Sequence, residues 1–451
     1  MNEPMPCIHT RRGFLRTTLL GGALTLTVPA FLADTFSSLH AAALDSATQI
    51  ATGKDAPILV LLQLAGGNDG LNTVVPYAND FYLRARPRLG LRKEGVIPLT
   101  DQIGLHPGLT GFKSLFDDGH LSIVQGVGYP NPNRSHFRST EIWETASDSG
   151  RNEKYGWIGR YFDNACSGAD PTVGVNIGNE TPQAFWSPTP KGITLKNPGS
   201  YRFESGAKVA MGEADATETY YKELNQESGP AHTDENAGAS IGSLTSGSGM
   251  AQSGDGSPLS FIERTAFDAQ VSSDKVQAIS QAGHNLAAYP NSGLANDLKL
   301  IARLISGGMT SRVYFASQGG YDTHTNQANA QQKNLQDLGD ALLAFCNDLK
   351  AQGNFDRVVV MTFSEFGRRV GENASGGTDH GTASPQFVCG GGVKGGLVGD
   401  YPSLDPAHLD QGDLVHTVDF RSVYAGLLEN WLKTPSDKIL QGRFNPFPLF
   451  T

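Results

Sequence analysis

The sequence predicts an α/β fold with a mostly parallel central sheet and helices on both faces. Three observations carry that expectation. First, apolar, β-branched runs at 57–64, 312–317 and 357–363 each lead into an acidic group, Asp69, Asp322 and Glu365 respectively. Strands buried on both faces read as continuous apolar runs, and open α/β sheets place their sites beyond the carboxyl ends of such strands. Second, segments with helical apolar spacing separate the runs, which is the alternation of a doubly wound sheet. Third, 54 glycines in 451 residues supply the many tight loops that such an alternation needs.

The first strand, 57–64, enters a Gly-Gly-Asn-Asp-Gly turn. Residues 80–92 are polar and basic and read as helix or loop, 105–116 as a helix, and 120–127 as the second strand. A Pro/Asn-rich loop from Tyr129 then feeds a helix running to Ala146, with Ser135 near its N-cap. Residues 155–162 predict a helix and 172–177 a strand. Amphipathic helices at 296–305 and 334–351 precede the 312–317 and 357–363 strands. A helix over 415–432 closes the fold, with Val423, Leu427, Leu428 and Trp431 on one face. Residues 225–258 are rich in Gly, Ser, Ala and Asp and nearly devoid of bulky apolar side chains. Such a stretch buries too little surface to offset ordering entropy, so it reads as a flexible insertion within one domain.

At the N-terminus, Arg11-Arg12-Gly-Phe14-Leu15-Arg16 precedes a mildly apolar stretch and the small residues Ala41-Ala42-Ala43. The pattern resembles a twin-arginine signal peptide over 1–43, leaving a mature chain of 44–451. The apolar stretch is too short for a stable membrane anchor. The reading implies a periplasmic or secreted protein that meets the twin-arginine translocase during export. A net charge of −10 disfavours nucleic acid as a partner. Of four cysteines Cys7 leaves with the leader, and Cys166, Cys346 and Cys389 carry no disulfide or zinc-finger spacing.

The chemistry gathers at the strand-end loops. Asp69 is either a carboxylate ligand or part of a tight turn. Asp322 and His324, separated by one residue, can chelate one cation, or Asp322 can cap the next helix. Glu365 is a further ligand or a partner of Arg368 or Arg369, and Asp379-His380 lies between glycine-rich turns. Oxygen and nitrogen donors of this kind suit zinc, manganese or magnesium. Ser135 is the candidate nucleophile or an ordinary N-cap; Arg134 and Arg138 can neutralise phosphate or sulfate oxygens. His136 can be a general acid or a ligand. His106, His120, His232, His284, His408 and His416 lack an acidic partner at matching spacing and are expected on loops or the surface.

The segments Gly67-Asn-Asp-Gly-Leu-Asn72, Asn133-Arg-Ser-His-Phe137, Tyr321-Asp-Thr-His324, Thr362-Phe-Ser-Glu-Phe-Gly-Arg368 and Thr378-Asp-His-Gly381 together resemble the exported "domain of unknown function 1501" family. The resemblance covers nearly all of the mature chain. That family is similar in fold to the alkaline phosphatase and sulfatase superfamily, which implies an alkaline-phosphatase-like three-layer sandwich. It implies Asp69 as first acid, Ser135 as nucleophile, Asp322 with His324, Glu365 as strand-end acid, and His380 as late histidine. Two divalent metals are implied, one near Asp322, His324 and His380, the other near Asp69, Ser135 and Glu365. This chain has Glu365-Phe366 where the superfamily has Asp-His, Asp-x-His where it has Asp-x-x-x-His, and no Cys-x-Pro-x-Arg motif. The expectation is an exported hydrolase of small anionic phosphate or sulfate esters, using one or two divalent metal ions. The alternative is a non-catalytic exported binding or assembly protein of the same fold.

Overall fold

The computed structural model describes residues 56–167, 169–188, 192–201 and 272–450. The leader at 1–43 and the 225–258 insertion lie outside the described residues. In chain order the strands are β1 (Ile58–Leu64), β2 (Val74–Val75), β3 (Ile97–Pro98), β4 (Gly104–Leu105), β5 (Leu121–Gly128) and β6 (Gly174–Ile177). There follow β7 (Ile193–Leu195), β8 (Val313–Gln318), β9 (Val358–Phe363), β10 (Ser384–Gly390), β11 (Gly396–Val398) and β12 (Val418–Asp419). The α-helices are α1 (Asp80–Ala85), α2 (Thr110–Asp117), α3 (His136–Thr145), α4 (Trp157–Ala165), α5 (Gly293–Ser306), α6 (Gln327–Ala351), α7 (Phe420–Gly426) and α8 (Asp437–Leu440). Residues 272–282 are also helical.

The main sheet has the order β11-β5-β10-β9-β1-β8-β6-β7, with β12 continuing beside β5 beyond β11. Strands β1, β8 and β9 pair in parallel, as do β6 with β7 and β8. Only β10 runs against its neighbours, β9 and β5. Strands β2, β4 and β3 form a small separate sheet.

Alternate residues of β1 feed two different cores, because side chains alternate across a strand. Val60 and Leu62 pack with Phe112 of α2, Leu298 and Ile301 of α5, and Leu342 and Phe345 of α6. Leu59 and Leu61 pack with Ile142 of α3, Trp157 and Tyr161 of α4, and Phe420 and Tyr424 of α7. The molecule is therefore a three-layer α/β sandwich with β1 at its centre. Residues 59–62 of β1 are fully buried, and each apolar side chain so buried contributes about 1.5–3 kcal/mol.

The five strands anticipated from apolar runs are present, with β5 at Leu121–Gly128 and β6 shortened to Gly174–Ile177 behind a 3₁₀ turn. The closing helix departs from the reading of 415–432. It begins only at Phe420, where the Asp419 carboxylate caps the Arg421 N–H, and it passes into a π-helical turn over Leu427–Trp431. Residues ahead of it form β12 instead. His106 lies on the expected loop, between β4 and α2, but is buried there; its Nδ1 accepts the Gly108 N–H, and burial lowers its pKa to about 4.

Candidate metal centre

With all main-sheet strands but β10 parallel, the carboxyl ends of β1, β5, β8 and β9 meet at one edge, and the reversed β10 brings its entry loop there too. Residues 366–382 double back on themselves: Gly367 N donates to Thr382 O, Arg369 N to Asp379 O, and Gly381 N to Gly367 O. That pairing fixes Asp379 and His380 beside Arg368. The β8 loop is held by the Tyr321 N bond to Ala65 O and the Thr378 N bond to Thr323 O. Asn373 Nδ2 donates to His324 O, anchoring the same loop from the other side.

Arg368 is the knot. Its guanidinium is buried and donates to the carbonyls of Gly66, Gly67, Tyr321 and Thr378, and to Asp322 Oδ1 at 2.7 Å. Glycine at 66 is required by this closeness: φ is +118°, and a Cβ would lie 2.4 Å from Asp322 N.

Around Asp322 stand three imidazoles. His324 Nε2 is 3.0 Å and His380 Nε2 3.4 Å from Asp322 Oδ1, and His136 Nε2 is 3.5 Å from Asp322 Oδ2. His324 Nε2 and His380 Nε2 are 2.9 Å apart. Each ring is tethered through its other nitrogen. His136 Nδ1 donates to Glu365 Oε1 at 2.8 Å, His324 Nδ1 to Asp379 Oδ1 at 2.9 Å, and His380 Nδ1 to the Arg134 carbonyl at 2.8 Å. The Phe366 ring packs against His136 and His380, with centroids 4.9 and 4.6 Å away.

The electrostatics favour charged carboxylates and a neutral ring. Burial pushes the Asp322 carboxyl up, but the hydrogen bond and charge of Arg368, with His324 and His136, outweigh it and hold it below its ordinary value. Hydrogen bonds from His324 and Asn373 hold Asp379 low. Burial, aided by the charges of Arg368 and His136, holds His380 below its ordinary value despite the Arg134 carbonyl. A backbone carbonyl can only accept, so a neutral His380 carries its proton on Nδ1 and leaves Nε2 bare. The 2.9 Å contact between the two Nε2 atoms suits either an N–H···N hydrogen bond from His324 or two nitrogens that share one cation. His136, Asp322 and His380 each offer a ligand atom within 4.8 Å of one another and can hold a metal ion.

The structure brings together Asp322, His324, Glu365, Asp379 and His380 from the sequence-derived set. Asp69 goes elsewhere. It is fully buried in an ion pair with Arg86 at 2.6 Å, it accepts from Gln327, and it caps the 3₁₀ turn at Gly70–Asn72. Both its oxygens have protein donors, so the turn reading describes it. Arg134 also differs from expectation: its guanidinium grips buried Asp413, and only its carbonyl reaches the cluster. Arg138 is engaged by Glu141 and three backbone carbonyls. Ser135 occupies the N-cap position of α3 without a side-chain capping bond, and it is exposed. The residue whose place sequence reasoning left open is His136. Its signal was adjacency to Ser135 at a helix start, but ring direction depends on Glu365, 229 residues away.

The fold and site define an α/β protein with a histidine–carboxylate centre at the carboxyl edge of its sheet. The chain matches the family described as "Protein of unknown function (DUF1501)" over residues 56–428 and belongs to that family. No curated protein matches it. Among solved structures it is similar to Ps i-CgsB in complex with k-i-k-neocarrahexaose, at 11% identity over 87% of this chain and 76% of that one, with a TM-score of 0.35. It is also similar to a further structure of Ps i-CgsB, at 10% identity, the same coverages and a TM-score of 0.33. Likeness at that level carries no argument about activity.

Proposed function

We propose that the protein is an exported metal-dependent hydrolase of phosphate or sulfate esters. The observation that supports this most is the convergence of three tethered imidazoles on Asp322, beside an exposed Ser135. Imidazole nitrogens and one carboxylate suit zinc, with manganese as the next choice. His136, Asp322 and His380 would hold the ion, with the His324 Nε2 as a fourth ligand. The ion would supply Lewis acidity toward an ester oxygen and lower the pKa of a nearby hydroxyl.

The chain's own groups do the rest. Ser135 presents its hydroxyl at the N-terminus of α3, where the helix dipole favours a developing negative charge. Arg368 neutralises Asp322 and keeps its oxygens turned to the imidazoles. The resemblance to the alkaline phosphatase and sulfatase superfamily supports Ser135 as the nucleophile. Arg11 and Arg12 support export through the twin-arginine pathway. Replacing both with lysine is expected to abolish the periplasmic fraction of cell lysates; an unchanged yield refutes that pathway.

A second reading, an exported non-catalytic metal-holding or assembly protein, is favoured by one observation. The guanidiniums of Arg86, Arg134, Arg138 and Arg368 all engage protein acceptors, so none of these four is free to clasp an ester's oxygens. The deciding experiment loads the mature protein with zinc or manganese and offers p-nitrophenyl phosphate and p-nitrophenyl sulfate. Hydrolysis that falls at least about 100-fold in Ser135→Ala with metal content unchanged supports the hydrolase. A parent that holds metal yet cleaves nothing in a broad ester panel supports the second reading.

A further inference from the structure

We infer that Glu365 and Asp379 are positioning residues rather than metal ligands, and that the centre takes one divalent cation on three histidine Nε2 atoms and the Asp322 carboxylate. This rests on the metal-binding part of the proposed function, and it goes further by dividing ligands from supports and fixing the stoichiometry.

Glu365 faces the wrong way to be a ligand. Its Oε1 accepts the His136 Nδ1–H and the Gly66 N–H, each at 2.8 Å, and its Oε2 lies 3.4 Å from the Ser364 hydroxyl. The side chain is 3% exposed, held between α3 and the end of β1. To reach a cation at Asp322 it would abandon two half-buried donors, each costly to leave unpaired. Asp379 stands behind His324 in the same way, its Oδ1 accepting from His324 Nδ1 and from Asn373 Nδ2. The Arg134 carbonyl does the same for His380.

The three tethers have one consequence in common. Each acceptor engages Nδ1, so each ring in its neutral form presents an Nε2 lone pair, and all three Nε2 atoms lie 3.0–3.5 Å from an Asp322 oxygen. A ligating histidine ordinarily donates its other N–H to a carboxylate or backbone carbonyl, which fixes the tautomer and raises its basicity. The centre shows that pattern three times, with three different acceptors. Three nitrogens and one oxygen also fill the four positions of a tetrahedral zinc site. A second cation would draw on Asp69 and Glu365. The first is spent on Arg86 and Gln327, the second on His136 and Gly66. Among the described residues, one group of three offers ligand atoms all within 4.8 Å of one another, His136, Asp322 and His380; His324 falls outside that group but joins it through Asp322 at 3.0 Å and His380 Nε2 at 2.9 Å.

The test is zinc titration of the chelator-stripped mature protein by calorimetry, with X-ray absorption spectra of the zinc-loaded forms. The parent is expected to take one equivalent, with three imidazoles in its spectrum. Glu365→Gln keeps a carbonyl oxygen for the His136 N–H, so it should stay within about tenfold of the parent, while Glu365→Ala and Asp379→Ala each lose about 10–100-fold. All three should retain the three-imidazole spectrum, whereas His136→Ala should show two. Melting curves of the metal-free proteins check that each variant is folded, and Asp379→Ala, at an exposed position, tests the idea even if Glu365→Ala unfolds. Two equivalents in the parent, or Glu365→Gln behaving like His136→Ala in affinity and spectrum, overturns the assignment. A parent that binds no zinc overturns it together with the metal-dependent reading. A parent with one zinc on three imidazoles but no ester hydrolysis supports the assignment and sinks only the hydrolase.

Discussion

Asp69 and Asp322 look alike in the sequence: each follows a buried β-strand and a pair of glycines. The fold gives them opposite roles. Asp69 is wholly buried, and Arg86 reaches it from just beyond α1, so its charge is cancelled inside the protein. Asp322 is half-exposed, and its one cation, Arg368, is itself shared among four carbonyls, while three imidazoles crowd its remaining surface. What decides between scaffold and site is whether an internal countercharge fully satisfies the acid. Neither its residue type nor its place at a strand end decides it.

The comparison can be broken most directly at Asp69. Asp69→Ala leaves the Arg86 guanidinium buried without its partner and is expected to cost about 3–5 kcal/mol in urea unfolding. A cost below about 1 kcal/mol, the range of an exposed pair, would mean that the buried ion pair is not structural.

Glu144 sharpens the comparison from a third side, being a buried acid with no cation. Ala184 N–H binds it, but burial raises its pKa to about 7. The native state therefore holds the proton more tightly than the unfolded chain does. Stability from this group is full below its ordinary value of 4.5 and is lost as pH rises through about 7. Glu144→Gln, which keeps an acceptor for Ala184, should be more stable than the parent by about 3 kcal/mol at pH 8 and equal to it near pH 4. An equal gain at both pH values would show that the charge is not the cause.

Asp322→Ala tests the other half. The metal-free variant should unfold within about 1 kcal/mol of the parent, because the half-exposed carboxylate carries little of the fold. Its zinc affinity should fall at least about 100-fold, or roughly 2.7 kcal/mol. The reverse result, a large loss of stability with affinity retained, would erase the distinction from Asp69. The smallest effect is expected at Ser135. With no capping bond to lose, Ser135→Ala should change stability by under about 0.5 kcal/mol, against roughly 1 kcal/mol for a serine that caps.

Much of this was legible in the sequence because it is written locally. Apolar runs disclosed β1, β5, β8 and β9, and helical spacing disclosed α5 and α6. Asp322, His324, Glu365, Asp379 and His380 were recognisable since each sits within a few residues of a strand end or a glycine turn. What was not legible is pairwise and long-range. The reversal of β10 depends on its neighbours β9 and β5, and a strand's direction leaves no mark on its composition. The diversion of Arg134 to Asp413 joins residues 279 apart. The site has no imidazole at Phe366, yet His136 brings one from α3 to pack against the Phe366 ring, a substitution in space that no reading along the chain displays.

Arg368 also has a temporal meaning. Its guanidinium ties residue 66, early in the chain, to residues 321, 322 and 378, spanning 302 positions in one bond. A chain emerging from the ribosome carries the β1 turn and α3 long before it carries Arg368 or His380. Until those late residues arrive, the Gly66 and Gly67 carbonyls have no guanidinium and the imidazoles no common focus. The centre is thus complete only when the chain nearly is: a polypeptide cut short before residue 380 lacks the His380 imidazole, and it also lacks β10, β11 and β12, the strands that pair with β5.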